Sequence, residues 1–143
     1  MSAQNAFSQF TPESVDDRDA LQLINTARAG ISFSAFEKFS KNIPFTLADW
    51  ANCLPVSQRT LQRYRDNKEN VLLDKSISEK ILEISFLFTR GALVFGDANR
   101  FYNWLTTKNL TVGGVAPKDL LDTTFGIHLL KDELTRIEHG VLA

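Results

Sequence analysis

The sequence predicts an all-α, compact multi-helix domain. Three observations carry that expectation. Apolar residues recur at three- and four-residue spacings, as in Ile77, Ile81, Ile84 and Phe88 or Ile127, Leu130, Leu134 and Ile137. Cap and stop residues punctuate the chain at helix-length intervals, as at Ser57, Gly96-Asp97 and Gly140. No segment shows the strict alternation of a half-buried strand.

Taken in order, Met1 to Asp17 has no clean apolar period and contains Pro12, which predicts a flexible arm with Phe7 and Phe10 as its only anchors. Arg18 to Ala29 reads as a first helix, with Leu21 and Ile24 on one face and Gly30 as its stop. Ser34 to Lys41 reads as a second, with Phe36 and Phe39 inward and Pro44 beyond its end. Thr46 to Asp49 opens a third helix with a capping-box pattern in which Asp takes the usual Glu position. Leu47, Trp50 and Ala51 then face the core. Pro55 disfavours helical geometry at Leu54 and breaks the helix, and Ser57 caps a fourth running to about Asp66.

Ser76 and Glu79 fit a capping box for a long helix with a broad apolar stripe, widened by Leu82, Phe86 and Leu87. That stripe is either a core helix or a dimer seam. Gly96 ends the helix and Asp97 caps the next, where Phe101, Trp104 and Leu105 share a face and Trp104 is expected in the core. Asn109 to Ala116 reads as a loop with Gly113-Gly114 at positive φ, and Pro117 as the first turn of a short helix. Thr123 or Thr124 starts the last helix, which Gly140 stops.

Composition narrows the function. A chain of 143 residues with 43% hydrophobic and 23% charged residues suits one globular unit. There is no membrane-length apolar run and no leader pattern at Met1. The one cysteine, Cys53, cannot pair within the chain, which fits a reducing cytoplasm, and it reads as a small buried apolar residue. His128 and His139 lack ligand partners at metal spacing, no phosphate loop follows a strand, and no nucleophile elbow is present. We therefore expect no catalytic residues, no metal and no cofactor.

Thr46 to Asn67 has the pattern of a helix-turn-helix. Ala48 is a small residue for a close helix approach, Val56 in the turn and Leu61 in the second helix face inward, and the outer face is polar. Ser57, Gln58, Arg59, Gln62, Arg63, Arg65 and Lys68 are the DNA-binding candidates. Arginine grips guanine edges and glutamine adenine edges with paired hydrogen bonds, whereas Arg63, Arg65 and Lys68 equally suit phosphates. The net charge is −1, yet Arg59, Arg63, Arg65 and Lys68 against Asp66 leave +3 between Ser57 and Lys68, and so −4 elsewhere. One basic face on an acidic body suits a protein that touches DNA on one side. One such unit reads half a site, so a homodimer on an inverted repeat is expected.

The segment Val56-Ser57-Gln58-Arg59-Thr60-Leu61-Gln62-Arg63-Tyr64 precedes Val94-Phe95-Gly96-Asp97, Trp104-Leu105, Gly113-Gly114-Val115-Ala116-Pro117-Lys118-Asp119-Leu120-Leu121, Gly126, and Leu134-Thr135-Arg136-Ile137-Glu138-His139-Gly140-Val141. In that order, the motifs from about Thr46 to Val141 resemble the Xre-type antitoxins (the MbcA/ParS/Xre family) of RES–Xre toxin–antitoxin modules. The chain departs from the commoner pattern in having Thr111-Val112 between Leu110 and the glycines. The resemblance implies a DNA-binding region over residues 18–73, with the helix-turn-helix at 46–67, and a toxin-binding region over 74–143. It implies two partners: a RES-domain toxin that consumes NAD, occluded at its active site, and operator DNA through which the chain represses its own operon. By the same analogy the toxin contact falls on Asn109, Gly113, Gly114 and Pro117 of the loop and on Arg136, Glu138, His139, Gly140 and Val141 of the tail. Read without the family, His139 near a helix C-terminus interacts well with the helix dipole when protonated. A stand-alone helix-turn-helix regulator whose C-terminal region dimerises, and a protein-interaction module that has lost DNA contact, are the competing readings.

Overall fold

In a computed structural model, residues 17–68 and 70–140 are described. Among them are seven α-helices: α1 Asp17–Ala29, α2 Phe33–Ser40, α3 Leu47–Cys53, α4 Gln58–Asp66, α5 Lys75–Phe95, α6 Ala98–Thr106 and α7 Thr124–Glu138. Two 3-10 turns, Leu110–Val112 and Pro117–Leu120, connect α6 to α7. The expected arm falls, apart from Asp17, outside the described residues, as does Val141. Two isolated bridges, Ser32 with Leu72 and Asn109 with Val115, are the extended pairings among the described residues.

The 21-residue α5 is the axis of the fold, and α1, α6 and α7 pack around it. Its stripe of Ile77, Ile81, Leu82, Ile84, Leu87 and Phe88 is buried within the chain itself. Most of the stripe is therefore core, with Phe86 half-buried at its margin beside Leu23 and Ile24 of α1. An aromatic cluster joins the N-terminal helices to this axis. Trp50 meets Phe36 and Phe45 at ring separations of 5.1 and 5.0 Å, Phe45 meets Phe88 at 5.8 Å, and Phe88 meets Phe101 at 5.6 Å. Ring pairs at such distances contribute about 0.5–1.5 kcal/mol beyond the area they bury.

Four expectations need correction. α1 turns Ala27 and Thr26 inward, with Leu23 half-buried, and leaves Leu21 and Ile24 exposed. Ala27 is small enough to bring α1 close to α5, and residues three to four positions apart share a helix face. α5 begins two residues earlier than the Ser76–Glu79 pattern suggests, because Asp74 caps it by accepting from Ile77 N–H at 2.9 Å. Leu73 fixes that start: its N–H donates to Ile31 C=O at 2.8 Å, and the buried Ser78 hydroxyl donates to Leu73 C=O while accepting from Ile31 N–H. Ala48 is exposed rather than at a helix contact. Trp104 is half-buried at the margin of the core, packed on Phe95 and Phe101.

The close helix approaches lie elsewhere, at two glycines. A Cβ on Gly91 would collide with the Phe101 ring, which brings α6 hard against α5. A Cβ on Gly126 would collide with the backbone carbonyl of Leu120, which brings the second 3-10 turn hard against α7. Thr123 settles the start of that helix by accepting from Gly126 N–H at 2.9 Å. Among the described residues no helix is long and apolar enough to cross a membrane.

Candidate nucleic-acid and protein interfaces

The helix-turn-helix forms as its sequence requires. Thr46 and Asp49 make the full capping box: Asp49 N–H donates to Thr46 Oγ1 at 3.0 Å and Thr46 N–H donates to Asp49 Oδ2 at 2.9 Å. Leu54 turns extended before Pro55 and is buried. Ser57 caps α4 by accepting from Thr60 N–H at 3.0 Å, and its own hydroxyl donates to Thr60 Oγ1. Leu61 is fully buried and Val56 half-buried, so α4 is held from within.

The outer face of α4 is a shallow concavity lined by Gln58, Arg59, Gln62, Arg63, Asp66 and Asn67. The candidates on it differ in how they are held. Gln58 and Arg59 stand exposed at the N-terminal end of the helix, the end that meets base edges when such a helix enters a major groove. Gln62 donates to Asp66 Oδ1 at 2.8 Å, and the Arg63 guanidinium lies 5.4 Å from the centre of the Tyr64 ring. Arg65 forms an ion pair with Glu37 of α2 at 3.5 Å, on the flank of α4 that faces the body of the protein. Lys68 closes the helix with φ +51, the left-handed region a lysine adopts at a cost of order 1 kcal/mol.

The second candidate surface is built on the loop after α6. Asn109 Oδ1 accepts from Thr111 N–H at 2.9 Å, and Asn109 C=O accepts from Gly114 N–H at 2.9 Å. The Asn109 N–H donates to Val115 C=O at 3.0 Å, so Gly113 (φ +92) and Gly114 (φ +81) form a closed, exposed turn. Asn109 therefore shapes the loop. Pro117 is buried, where it starts the second 3-10 turn.

Thr111, the departure from the commoner pattern, ties the loop to α7. Its hydroxyl lies 2.7 Å from Asn109 Oδ1 and 3.3 Å from Glu133 Oε1, so its one proton sits between the loop and the helix. Glu133 Oε2 in turn accepts from Arg136 at 2.9 Å. Arg90 of α5 donates to Thr135 Oγ1 at 2.6 Å and to Glu138 Oε1 at 3.2 Å. His139 and Gly140 follow as an exposed C-cap and stop, Gly140 at φ +63. Loop and helix end thus stand together, with Arg136 and Glu138 both engaged within the chain.

Sequence reasoning did not single out Glu133, nor the link between the two surfaces. Lys118 of the second 3-10 turn meets Asp49 of α3 at 3.0 Å, with both side chains three-quarters or more covered. Burial pushes the Asp49 carboxyl up, but the Thr46 backbone and the Lys118 ammonium together hold it below its ordinary value. Cys53 is buried one turn further along α3, and loss of solvent pushes its thiol up to about 12. It is no nucleophile at neutral pH.

With this geometry in place, two family models match. Residues 22–84 match the antitoxin Xre-like helix-turn-helix domain, and residues 90–140 match the antitoxin Xre/MbcA/ParS C-terminal toxin-binding domain. No curated protein matches the chain.

Proposed function

Because the chain belongs to the Xre/MbcA/ParS family of antitoxins, we propose that it neutralises a RES-domain, NAD-consuming toxin by covering that enzyme's active site, and that it binds operator DNA to repress its own operon. The observation that supports this best is the coincidence of the two matched segments with the two surfaces. The helix-turn-helix match contains the exposed basic face of α4, and the toxin-binding match contains the loop–α7 end.

The proposed toxin contact is made by Asn109, Gly113, Gly114, Arg136, Glu138, His139, Gly140 and Val141, with the buried Pro117 setting the loop rather than touching the partner. Backbone hydrogen bonds from Gly114 N–H to Asn109 C=O and from Asn109 N–H to Val115 C=O close the glycine turn, and a preformed surface binds with less ordering cost than a mobile one. The proposed DNA contact divides by role. Gln58, Arg59 and Gln62 read base edges, while Ser57, Arg63 and Lys68 hold phosphates. Arg65 is assigned a supporting role, since its guanidinium is turned to Glu37. A homodimer supplies the second half-site. In the proposed division residues 18–73 serve DNA and residues 74–143 serve the toxin, with both activities exercised by binding alone in the cytoplasm.

Co-expression with the adjacent reading frame of the operon tests the assignment. We expect that frame alone to arrest growth, and this chain to reverse the arrest and copurify with it. A harmless neighbour that this chain does not bind would overturn the toxin assignment and leave a stand-alone regulator.

A further inference from the structure

We propose that the toxin is gripped by an apolar stripe on the solvent face of α7, anchored by Phe125 and Leu129, which extends the contact beyond loop and tail. This inference rests on the toxin-binding reading of residues 90–140 and adds the side chains that hold the partner.

The stripe follows from helix geometry. α7 buries Gly126, Ile127, Leu130, Glu133 and Leu134 against the body of the protein. At about 100° per residue, Phe125, Leu129, Asp132 and Arg136 line up along the axis on an exposed flank of the helix beside that buried face. The first two are apolar where an ordinary surface helix carries charge: Phe125 is 88% exposed and Leu129 44%. Leu110, 92% exposed, belongs to the 3-10 turn that Thr111 holds against Glu133, one helical turn beyond Leu129. Single exposed apolar residues are common on protein surfaces. Three large ones gathered on one helix and the loop strapped to it are a different matter.

The occupant is the toxin rather than lipid or a second copy, on two grounds. The stripe lies inside the toxin-binding match and runs from the first turn of α7 toward the Thr111–Glu133 bond, so it adjoins the contact proposed for the loop and helix end. Its layout is also that of a protein interface centre. An aromatic and a leucine form the core, and Asp132 and Arg136 border it with both signs of charge. A lipid-facing stripe would instead be bordered by lysine and arginine.

The test uses the full chain and the RES-domain protein of the adjacent frame. Phe125→Ala and Leu129→Ala remove exposed side chains, and Leu21→Ala, an exposed leucine on α1, is the control. Affinity for the toxin, thermal midpoint, sedimentation and operator binding are measured for each. We expect each stripe variant to bind toxin at least about tenfold more weakly, with midpoint and operator binding unchanged, and Leu21→Ala to match the wild type. Unchanged toxin affinity in the double variant, while the wild type binds, overturns the stripe and leaves the loop-and-tail reading standing. Loss of self-association with toxin affinity intact also overturns it, by showing a second copy on the stripe. A wild-type chain with no affinity for that protein removes the underlying reading and this inference together.

Discussion

Gly126→Ala sets two physical effects against each other at one atom. Gly126 is the third residue of α7, and alanine is favoured over glycine by at most the roughly 0.8–1 kcal/mol of a helix interior, so propensity alone predicts a more stable protein. The added methyl would occupy the space of the Leu120 carbonyl oxygen, with the Leu120 carbonyl carbon and Cβ behind it. A flexible side chain can swing aside, but a backbone carbonyl moves only if the whole 3-10 turn moves. That turn is held by the buried Pro117 and Leu121 and by the Lys118–Asp49 ion pair. Overpacking against such a neighbour costs typically 1–3 kcal/mol, and here the upper half of that range applies because nothing nearby yields. The net expectation is a loss of about 1–2 kcal/mol. In a chain of this length that lowers the thermal midpoint by roughly 3–8 °C. Calorimetric melting beside the wild type measures it. A rise in midpoint would refute the reasoning, since it would mean the turn has slack and propensity governs. Gly91→Ala, whose methyl would meet the Phe101 ring, should fall in the same direction.

Further outcomes follow from the packing and the charges. Leu61→Ala empties a fully buried site behind the recognition helix; urea titration should show a loss of about 2–5 kcal/mol, and a loss under 1 kcal/mol would place Leu61 outside the core. Lys68→Gly relieves the left-handed φ while removing one cation, so the midpoint should rise while the log–log salt dependence of operator binding flattens by about 0.9; an unchanged slope would remove Lys68 from the phosphates. The folded Asp49 carboxyl titrates below its ordinary value, so its stabilisation is fully present above the unfolded carboxylate range near pH 4 and is lost as pH falls through the folded value. Asp49→Asn should therefore melt less differently from the wild type at pH 2.5 than at pH 7, and an equal gap at both would refute the charge argument. Cys53, its thiol pushed to about 12 by burial, should not react with an aromatic disulfide reagent in the native state and should react in urea.

Local chemistry was legible in the sequence wherever one side chain meets backbone a few residues away. Thr46 with Asp49, Ser57, Gly96-Asp97 and Gly140 act where their spacing placed them. The long stripe of α5 was legible for the same reason, since periodicity is a local property. The start of α5 was misread because Ser76 and Glu79 satisfy a local pattern that a distant contact overrides. Leu73 is pinned to Ile31, and the first residue free to cap is then Asp74. The Lys118–Asp49 pair and the Thr111–Glu133 bond join segments 69 and 22 residues apart, and both glycine contacts cross from one element to the next, where no within-helix spacing rule applies. At the two candidate surfaces the residue types were visible and their engagement was not. Arg65 looks like its neighbours until Glu37 is seen across from it.

The same long-range contacts bear on how the two surfaces communicate. The helix-turn-helix and the loop–α7 end do not sit on separate lobes, because α5 runs through a single core that includes Trp50, Leu61, Phe101 and Leu134. Lys118 adds a direct strut, placed on the turn between the glycine loop and α7 and bound to the carboxylate that also caps α3. A toxin that shifted the Pro117–Leu120 turn would pull on that carboxylate, and so on the helix that packs behind α4. Lys118→Met separates mechanical coupling from simple proximity. Its stability loss should be modest, about 1–2 kcal/mol for a largely covered pair whose carboxylate keeps its Thr46 hydrogen bond, and each partner alone should bind as before. If the strut transmits, the factor by which toxin changes operator affinity will move toward one in the variant, and by linkage the factor by which operator changes toxin affinity will move equally. If both factors are unchanged, the strut is only a brace, and coupling runs through the shared core or through the stoichiometry of the complex.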